Sequence, residues 1–199
     1  MESRFDDIDA LYAFLRKEDV PPPGFSDRII PGEGPPHAPM MLVGEQPGDQ
    51  EDRQGHPFVG PAGRLLDTCL EESHVDRREL FLTNAVKRFK FIPRGKRRLH
   101  QTPTAADIAH YRWWLAEEVR LVGPKVVVSL GGTALHALTA RKQPLGPVRG
   151  MAMPWAGRSL LPTVHPSFLL RVRDKQEREV LRGKFIEDQV KAVKMAFGR

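Results

Sequence analysis

Four short apolar runs, three of them continuous rather than alternating, constrain this chain most. They are Met40–Gly44 (MMLVG), Leu80–Val86 (LFLTNAV), Lys125–Leu130 (KVVVSL) and Leu160–Val164 (LLPTV). A strand with one wet face alternates, whereas a continuous run fits a parallel strand covered on both faces. Helical patterns separate the runs. Pro61 suits the first helical position, and Leu65, Leu66, Cys69 and Leu70 then form an apolar stripe. Thr104 to Asp107 resembles a capping box, after which Ile108, Tyr111, Leu115, Val119 and Val122 keep helical spacing. Gly131-Gly132-Thr133 opens another helix through Leu138, and from Asp174 onward Ile186, Val190, Val193 and Phe197 mark a C-terminal one. A helix from about Asp6 to Lys17, ended by Pro21-Pro22-Pro23, leads in. Residues 1–38 therefore read as a helix plus a Pro/Gly-rich lead-in, and Pro21–Pro39 is the one stretch whose composition allows disorder, although the N-terminus is expected to pack directly on the domain.

This alternation predicts a single α/β domain over 1–199: a three-layer α/β/α arrangement with a central, mainly parallel four-stranded sheet and right-handed crossovers. Loops after parallel strands leave at the carboxyl edge of the sheet, where ligands bind. The distinctive polar segments all follow strands: Gly44–Asp49 the first, Lys87–His100 the second, His165–Ser167 the fourth. Three unusual loops at one edge make a candidate site. One cysteine, Cys69, excludes a disulfide framework, an all-cysteine zinc site and a four-cysteine iron–sulfur cluster. No apolar run is long enough to span a bilayer, and the acidic opening MESRFDDIDALYAF lacks the pattern of a signal peptide, so a cytoplasmic protein, monomeric by default, is expected.

The net charge is +6, and its distribution points to partners. Between Leu80 and Ala106 there is no acid but seven basic residues: Lys87, Arg88, Lys90, Arg94, Lys96, Arg97 and Arg98, with Phe89 and Phe91 interleaved. Such a loop suits a phosphate backbone; a solvated surface loop is the alternative. The first loop carries Glu45, Asp49, Glu51 and Asp52, four carboxylates within eight residues. They can serve as general base, position a water, stabilise a cationic transition state, bind a divalent cation or simply cap helices. His165, just past a strand, can donate to a ligand oxygen or be structural. His100 in KRRLH can act as nucleophile or base, since neutral imidazole is nucleophilic, or it can contact phosphate like its neighbours.

The string GEQPGDQEDRQGHPFVGPAGRLL from Gly44 to Leu66, together with KRRLH and HPSFLLR, resembles the uracil-DNA glycosylase superfamily, and within it the UdgX-like branch, relatives of the iron–sulfur uracil-DNA glycosylases. The resemblance runs from about Ile30 to Phe197. In that branch the loop usually reads Lys-Arg-Arg-Ile-His, and Leu99 stands here for the isoleucine. The resemblance implies cleavage of the bond between uracil and deoxyribose in DNA, single-stranded DNA included, with the loop histidine linked covalently to the sugar carbon. By motif match that nucleophile is His100. Glu45 would orient it or support the sugar cation, and Gln46 and Asp49 would bind or order the pocket, Asp49 with a catalytic part. Phe58 would stack on the flipped base, Asn84 would read the uracil amide edge, and His165 would hold a uracil oxygen and stabilise the departing anion. Lys96, Arg97, Arg98, Ser167 and Arg171 would meet the DNA. The alternatives are hydrolysis completed by a water that Glu45 or Asp49 activates, and a non-catalytic binder of uracil or abasic DNA.

In other branches of the superfamily an aromatic residue of the first motif blocks the thymine methyl group, and the corresponding place here is Gly48. One departure from the family stands out. Relatives carry a four-iron, four-sulfur cluster held mainly by cysteines, including a pair upstream of the first motif. Here Pro21–Pro39 has none, and Arg88 and His110 stand where ligands can lie, so no cluster, no metal and no other cofactor is expected.

Overall fold

Asp7 Oδ1 accepts the Ala10 N–H at 2.8 Å and starts helix α1 (Ile8–Glu18) in a computed structural model that describes residues 5–199; the reading of Met1–Arg4 lies outside it. Strand β1 (Met40–Gly44) follows, then α2 (Asp49–Gln54), α3 (Pro61–Glu72) and β2 (Phe81–Asn84). Next come β3 (Phe91–Arg94), β4 (Arg97–His100) and α4 (Ala105–Val122), which opens on the Thr104–Asp107 capping box and stops at Gly123. The chain ends with β5 (Val126–Leu130), α5 (Gly132–Thr139), β6 (Met153–Trp155), β7 (Arg158–Thr163), α6 (Pro166–Arg171) and α7 (Lys175–Phe197).

The sheet runs β2-β1-β5-β7-β6. Its first four strands are parallel, in register Gly44 opposite Asn84, Val43 opposite Ser129 and Leu130 opposite Thr163. Helices cover both faces. Met41, Val43, Phe81 and Val127 pack with α1, α4 and α5, while Met40, Leu42, Leu82 and Val128 pack with α3, α6 and α7. Neighbouring residues along one strand thus enter opposite cores, which is why the runs are continuously apolar. The expected four parallel strands are present, and the sheet gains a fifth, antiparallel edge strand, β6, whose three-residue length and proline left little pattern. The stripe of α7 is also turned by one position: Phe185, Gln189, Ala192, Val193 and Ala196 are buried, whereas Ile186 and Phe197 are only partly so.

The lead-in, whose composition allowed disorder, is ordered and packs directly on the domain. It runs as an irregular strap along the free edge of β2, where Glu33 and Leu82 exchange backbone hydrogen bonds of 2.9 and 2.7 Å. Ser26 and Ile30 donate to Phe89 and Lys87 carbonyls, and Ile30 is buried. The strap satisfies an edge that would otherwise present unpaired backbone groups. No helix among the described residues is long and apolar enough to cross a membrane.

Beneath β2 lies a fully buried charged hub. Lys87 Nζ donates to Glu118 Oε2 at 2.5 Å, to Thr83 Oγ1 at 2.8 Å and to the Asn84 carbonyl at 2.7 Å. Tyr12 of α1 donates to Glu118 at 2.6 Å and accepts the Gly32 N–H at 2.8 Å. Burial lowers the Lys87 pKa against the pull of Glu118, and burial raises that of Tyr12, with the Glu118 charge acting in the same direction. Removing one partner strands the other charge in the interior. Lys87→Met is therefore expected to cost roughly 3–5 kcal/mol in urea unfolding, and Lys87→Met/Glu118→Leu to recover most of it; a loss below about 1 kcal/mol for the single variant, the scale of an exposed pair, would contradict this assignment.

Candidate functional site

The carboxyl ends of β1, β2, β5 and β7 open onto a cleft of about 1040 Å³. Of the residues expected there, Glu45, Gln46, Asp49, Phe58, Asn84, His100, His165, Ser167 and Arg171 all line it. Lys96, Arg97 and Arg98 do not. The sequence's basic loop is in fact a hairpin of β3 and β4 joined at Gly95-Lys96, with His100 at its base opposite Phe91. Period-two alternation is absent there, so nothing in the residues announced strands.

The seven cations of that segment divide into two sets. Four are paired internally: Lys87 with Glu118, Arg88 with Asp19, Lys90 with Asp107, and Arg98 with Asp49 and Asp52. Arg94, Lys96 and Arg97 are exposed and have no acidic partner among the described residues. Arg98, expected at the DNA, is held by two acids of the first loop. Its Nε donates to Asp49 Oδ1 at 2.6 Å, its NH1 to Asp52 Oδ2, and its guanidinium lies 5.3 and 5.2 Å from the Phe89 and Phe91 ring centres. Asp49 also accepts from Arg53 at 2.8 Å. Partial burial works against ionisation of Asp49, but both arginines outweigh it and hold the carboxyl below its ordinary value. A carboxylate so engaged is a poor proton acceptor. Gln46 likewise ties the hairpin base, donating to the Gln101 carbonyl at 3.0 Å and accepting the Lys90 N–H at 3.1 Å.

His100 is 48% exposed, and its Nε2 stands 3.4 Å from Glu45 Oε1, longer than a usual hydrogen bond. Glu45 Oε2 accepts from Thr133 Oγ1 at 2.6 Å. Asn84 is buried, and its carboxamide has no protein partner among the described residues. Phe58 is buried in a left-handed conformation (φ 56°), its ring stacked 6.3 Å from that of His165. Two glycines permit this crowding. A Cβ on Gly44 would fall 2.3 Å from Asn84 Oδ1 and 2.6 Å from the Phe58 ring, and one on Gly63 would fall 1.9 Å from the Phe58 carbonyl oxygen. Arg77, which the sequence reading passed over, holds this segment by donating to the Phe58 carbonyl at 3.0 Å and the Pro57 carbonyl at 2.7 Å. Gly48 also has a local reason: a Cβ there would meet Glu51 Oε2 at 2.7 Å, the same oxygen that accepts the Gly48 N–H.

His165 caps α6. Its Nδ1 accepts the Ser167 N–H at 3.2 Å and lies 2.8 Å from Ser167 Oγ, which accepts from Arg171. An accepting Nδ1 leaves the ring proton on Nε2. Burial first, then the charges of Arg171 and His100, bring its pKa down to about 4. The ring is therefore a neutral N–H donor at neutral pH.

The residues do not fit an iron–sulfur cluster. Asp19 is ringed by Arg88 Nε at 2.7 Å, His110 Nε2 at 2.6 Å and Tyr111 Oη at 3.3 Å, and Arg88 also donates to carbonyls of the strap. A guanidinium is no iron ligand. Cys69 is buried on α3 in the opposite layer, where burial pushes its thiol up in pKa. No group of three or more His, Cys, Asp or Glu among the described residues is arranged to hold a metal.

A sequence profile of the Uracil DNA glycosylase superfamily matches residues 31–189. A type-4 uracil-DNA glycosylase of Thermotoga maritima is 37% identical over 166 residues, 82% of this chain and 81% of its own. One of Pyrobaculum aerophilum is 32% identical over 193 residues, 92% of this chain and 91% of its own. A DNA polymerase of Bacillus phage SP01 is 29% identical over 148 residues, 74% of this chain and 15% of its own.

The neutral His165 has a measurable consequence. Between its folded pKa of about 4 and the ordinary 6.5, the unfolded chain takes up a proton that the folded ring refuses, so this contribution to stability is complete above pH 6.5 and is lost on acidification. Urea unfolding of wild type and His165→Asn at pH 7.5 and 5 is expected to show about 2 kcal/mol more acid loss in wild type; equal losses would refute the assignment.

Proposed function

This chain belongs to the uracil-DNA glycosylase superfamily, and on that premise we propose that it excises uracil from DNA and captures the resulting sugar through His100. The observation that supports the reading is one cleft bringing His100 within 3.4 Å of Glu45 and lined also by Phe58, Asn84 and His165. A base must leave the helical stack before its sugar bond can be attacked. The Phe58 face offers stacking and the Asn84 carboxamide complements the uracil amide edge. Cytosine would leave that buried amide mispaired, a strong basis for rejection.

As the bond from C1′ to N1 breaks, its electron pair departs with uracil. The His165 Nε2–H donates to the oxygen where that charge accumulates, and the Glu45 carboxylate offsets the cationic sugar. The His100 Nε2 lone pair then forms the new bond to C1′, and the ring proton on Nδ1 passes through solvent to the uracil anion. The exposed Arg94, Lys96 and Arg97 on the hairpin, with Ser167 and Arg171 at the cleft mouth, supply contacts to phosphates. Single-stranded DNA is an accepted substrate in this reading, since it requires no extrusion from a duplex.

No iron–sulfur cluster takes part. The Asp19–Arg88–His110 ion-paired network holds the strap in the place where the resemblance puts cluster ligands. Iron analysis of the purified protein is expected to find no stoichiometric iron, and a brown protein would contradict this. For the reaction itself, the protein is incubated with uracil-containing single-stranded DNA and run on a denaturing gel. A DNA-linked band that survives boiling is expected, together with its loss in His100→Ser. Free uracil without such a band would replace capture by hydrolysis, and binding without uracil release would leave only a binder.

A further inference from the structure

Glu45 is oriented differently from every other carboxylate of its loop. Asp49 and Asp52 are held by Arg98, and Glu51 by the N–H groups of Gly48 and Gly60. Glu45 is held by a neutral hydroxyl from another strand connection: Thr133 Oγ1 donates to Oε2 at 2.6 Å, while Oε1 is the oxygen 3.4 Å from His100 Nε2. Each oxygen of this one carboxylate thus has its own neighbour.

The place of this contact in the fold makes it rigid. Glu45 follows β1 and Thr133 follows β5, two strands paired in parallel with β2 on the far side of β1. That is the point where strand order reverses and the crevice of such sheets opens. Thr133 lies in the first turn of α5, whose N-cap Gly131 donates to the Thr163 carbonyl at 2.8 Å and so ties the turn to the strand leading into His165. A β-branched side chain on a fixed helical turn has few rotamers, so the Thr133 oxygen has a defined place from which its hydroxyl can donate to Glu45.

We propose that Thr133 is a positioning residue: its hydroxyl fixes the Glu45 carboxylate so that Oε1 faces His100 and the sugar carbon being released. This rests on the function proposed above and deepens it. A carboxylate free to rotate would dilute the aligned geometry on which the stabilisation of a developing cation depends.

The test reads single-turnover uracil release from uracil-containing single-stranded DNA. Thr133→Val, which keeps the shape and removes the hydroxyl, is expected to slow release roughly 10- to 100-fold. DNA affinity should stay unchanged, and Thr133→Ser should restore most of the rate. In a Glu45→Gln background the same substitution should slow release no further, because both act on one group. A full additional loss in that background, a Thr133→Ser protein as slow as Thr133→Val, or a Thr133→Val protein at wild-type rate would each overturn the proposal. Thr133→Ala, read in the same way, replaces a misfolded Thr133→Val. If wild type releases no uracil, the proposed function falls separately, and the ¹⁵N resonances of the His100 ring decide the placement. They should move in Thr133→Val in the direction that Glu45→Gln moves them, and unmoved resonances would overturn it.

Discussion

Arg98 sits between Asp49 and Asp52, and the geometry of the cleft depends on that contact. His100 is carried by a two-stranded hairpin, a unit only marginally stable by itself. Glu45 belongs to a different loop. The fork of Arg98 joins the two, because Asp49 and Asp52 open α2 directly after the Glu45 segment. Asp52 also accepts from Ser26 of the strap at 2.5 Å, so three separate stretches meet at one pair of carboxylates. Phe89 and Phe91 against the guanidinium add the apolar contact that a lone ribbon lacks.

The same pairing of charges explains how a basic segment can be partly interior. A buried cation is tolerated only with a partner and satisfied donors. Lys87 has three acceptors, and Arg88 has Asp19 and two strap carbonyls. Each hub also performs a second task. Lys87 grips the carbonyl of Asn84, the residue at the end of β2 that faces the cleft, and Arg88 fastens the strap that seals the edge of that strand. The cations left exposed, Arg94, Lys96 and Arg97, occupy the outer part of the hairpin, where a polyanion can reach them.

Tension at Phe58 is handled in a comparable way. A left-handed backbone at an aromatic residue is unfavourable and persists only when its surroundings over-determine it. Arg77 takes the carbonyls of Pro57 and Phe58, Gly63 gives α3 room to approach, and Gly44 leaves space for the ring beside Asn84. The outcome is an apolar face beside a carboxamide without a protein partner, opposite a neutral imidazole donor.

The order of strands and helices was legible in the chain because both cores are fed by neighbouring residues of each run, which leaves an unbroken apolar signature; the cap at Thr104 was legible because capping is local. The cleft residues of the three strand-following loops were legible too, since parallel strands deliver such loops to one edge. The partner of each charge was not. Lys87 and Lys96 look alike in sequence, yet one is buried against Glu118, 31 positions away, and the other is in solvent. Nor did the residues reveal that β3 and β4 pair, that the Pro/Gly strap pairs with the edge of β2, or that Thr133 reaches Glu45 across 88 positions. Local pattern is set by burial and capping over a few residues, whereas the choice of a charge partner is made only when distant segments are brought together and water is excluded from between them.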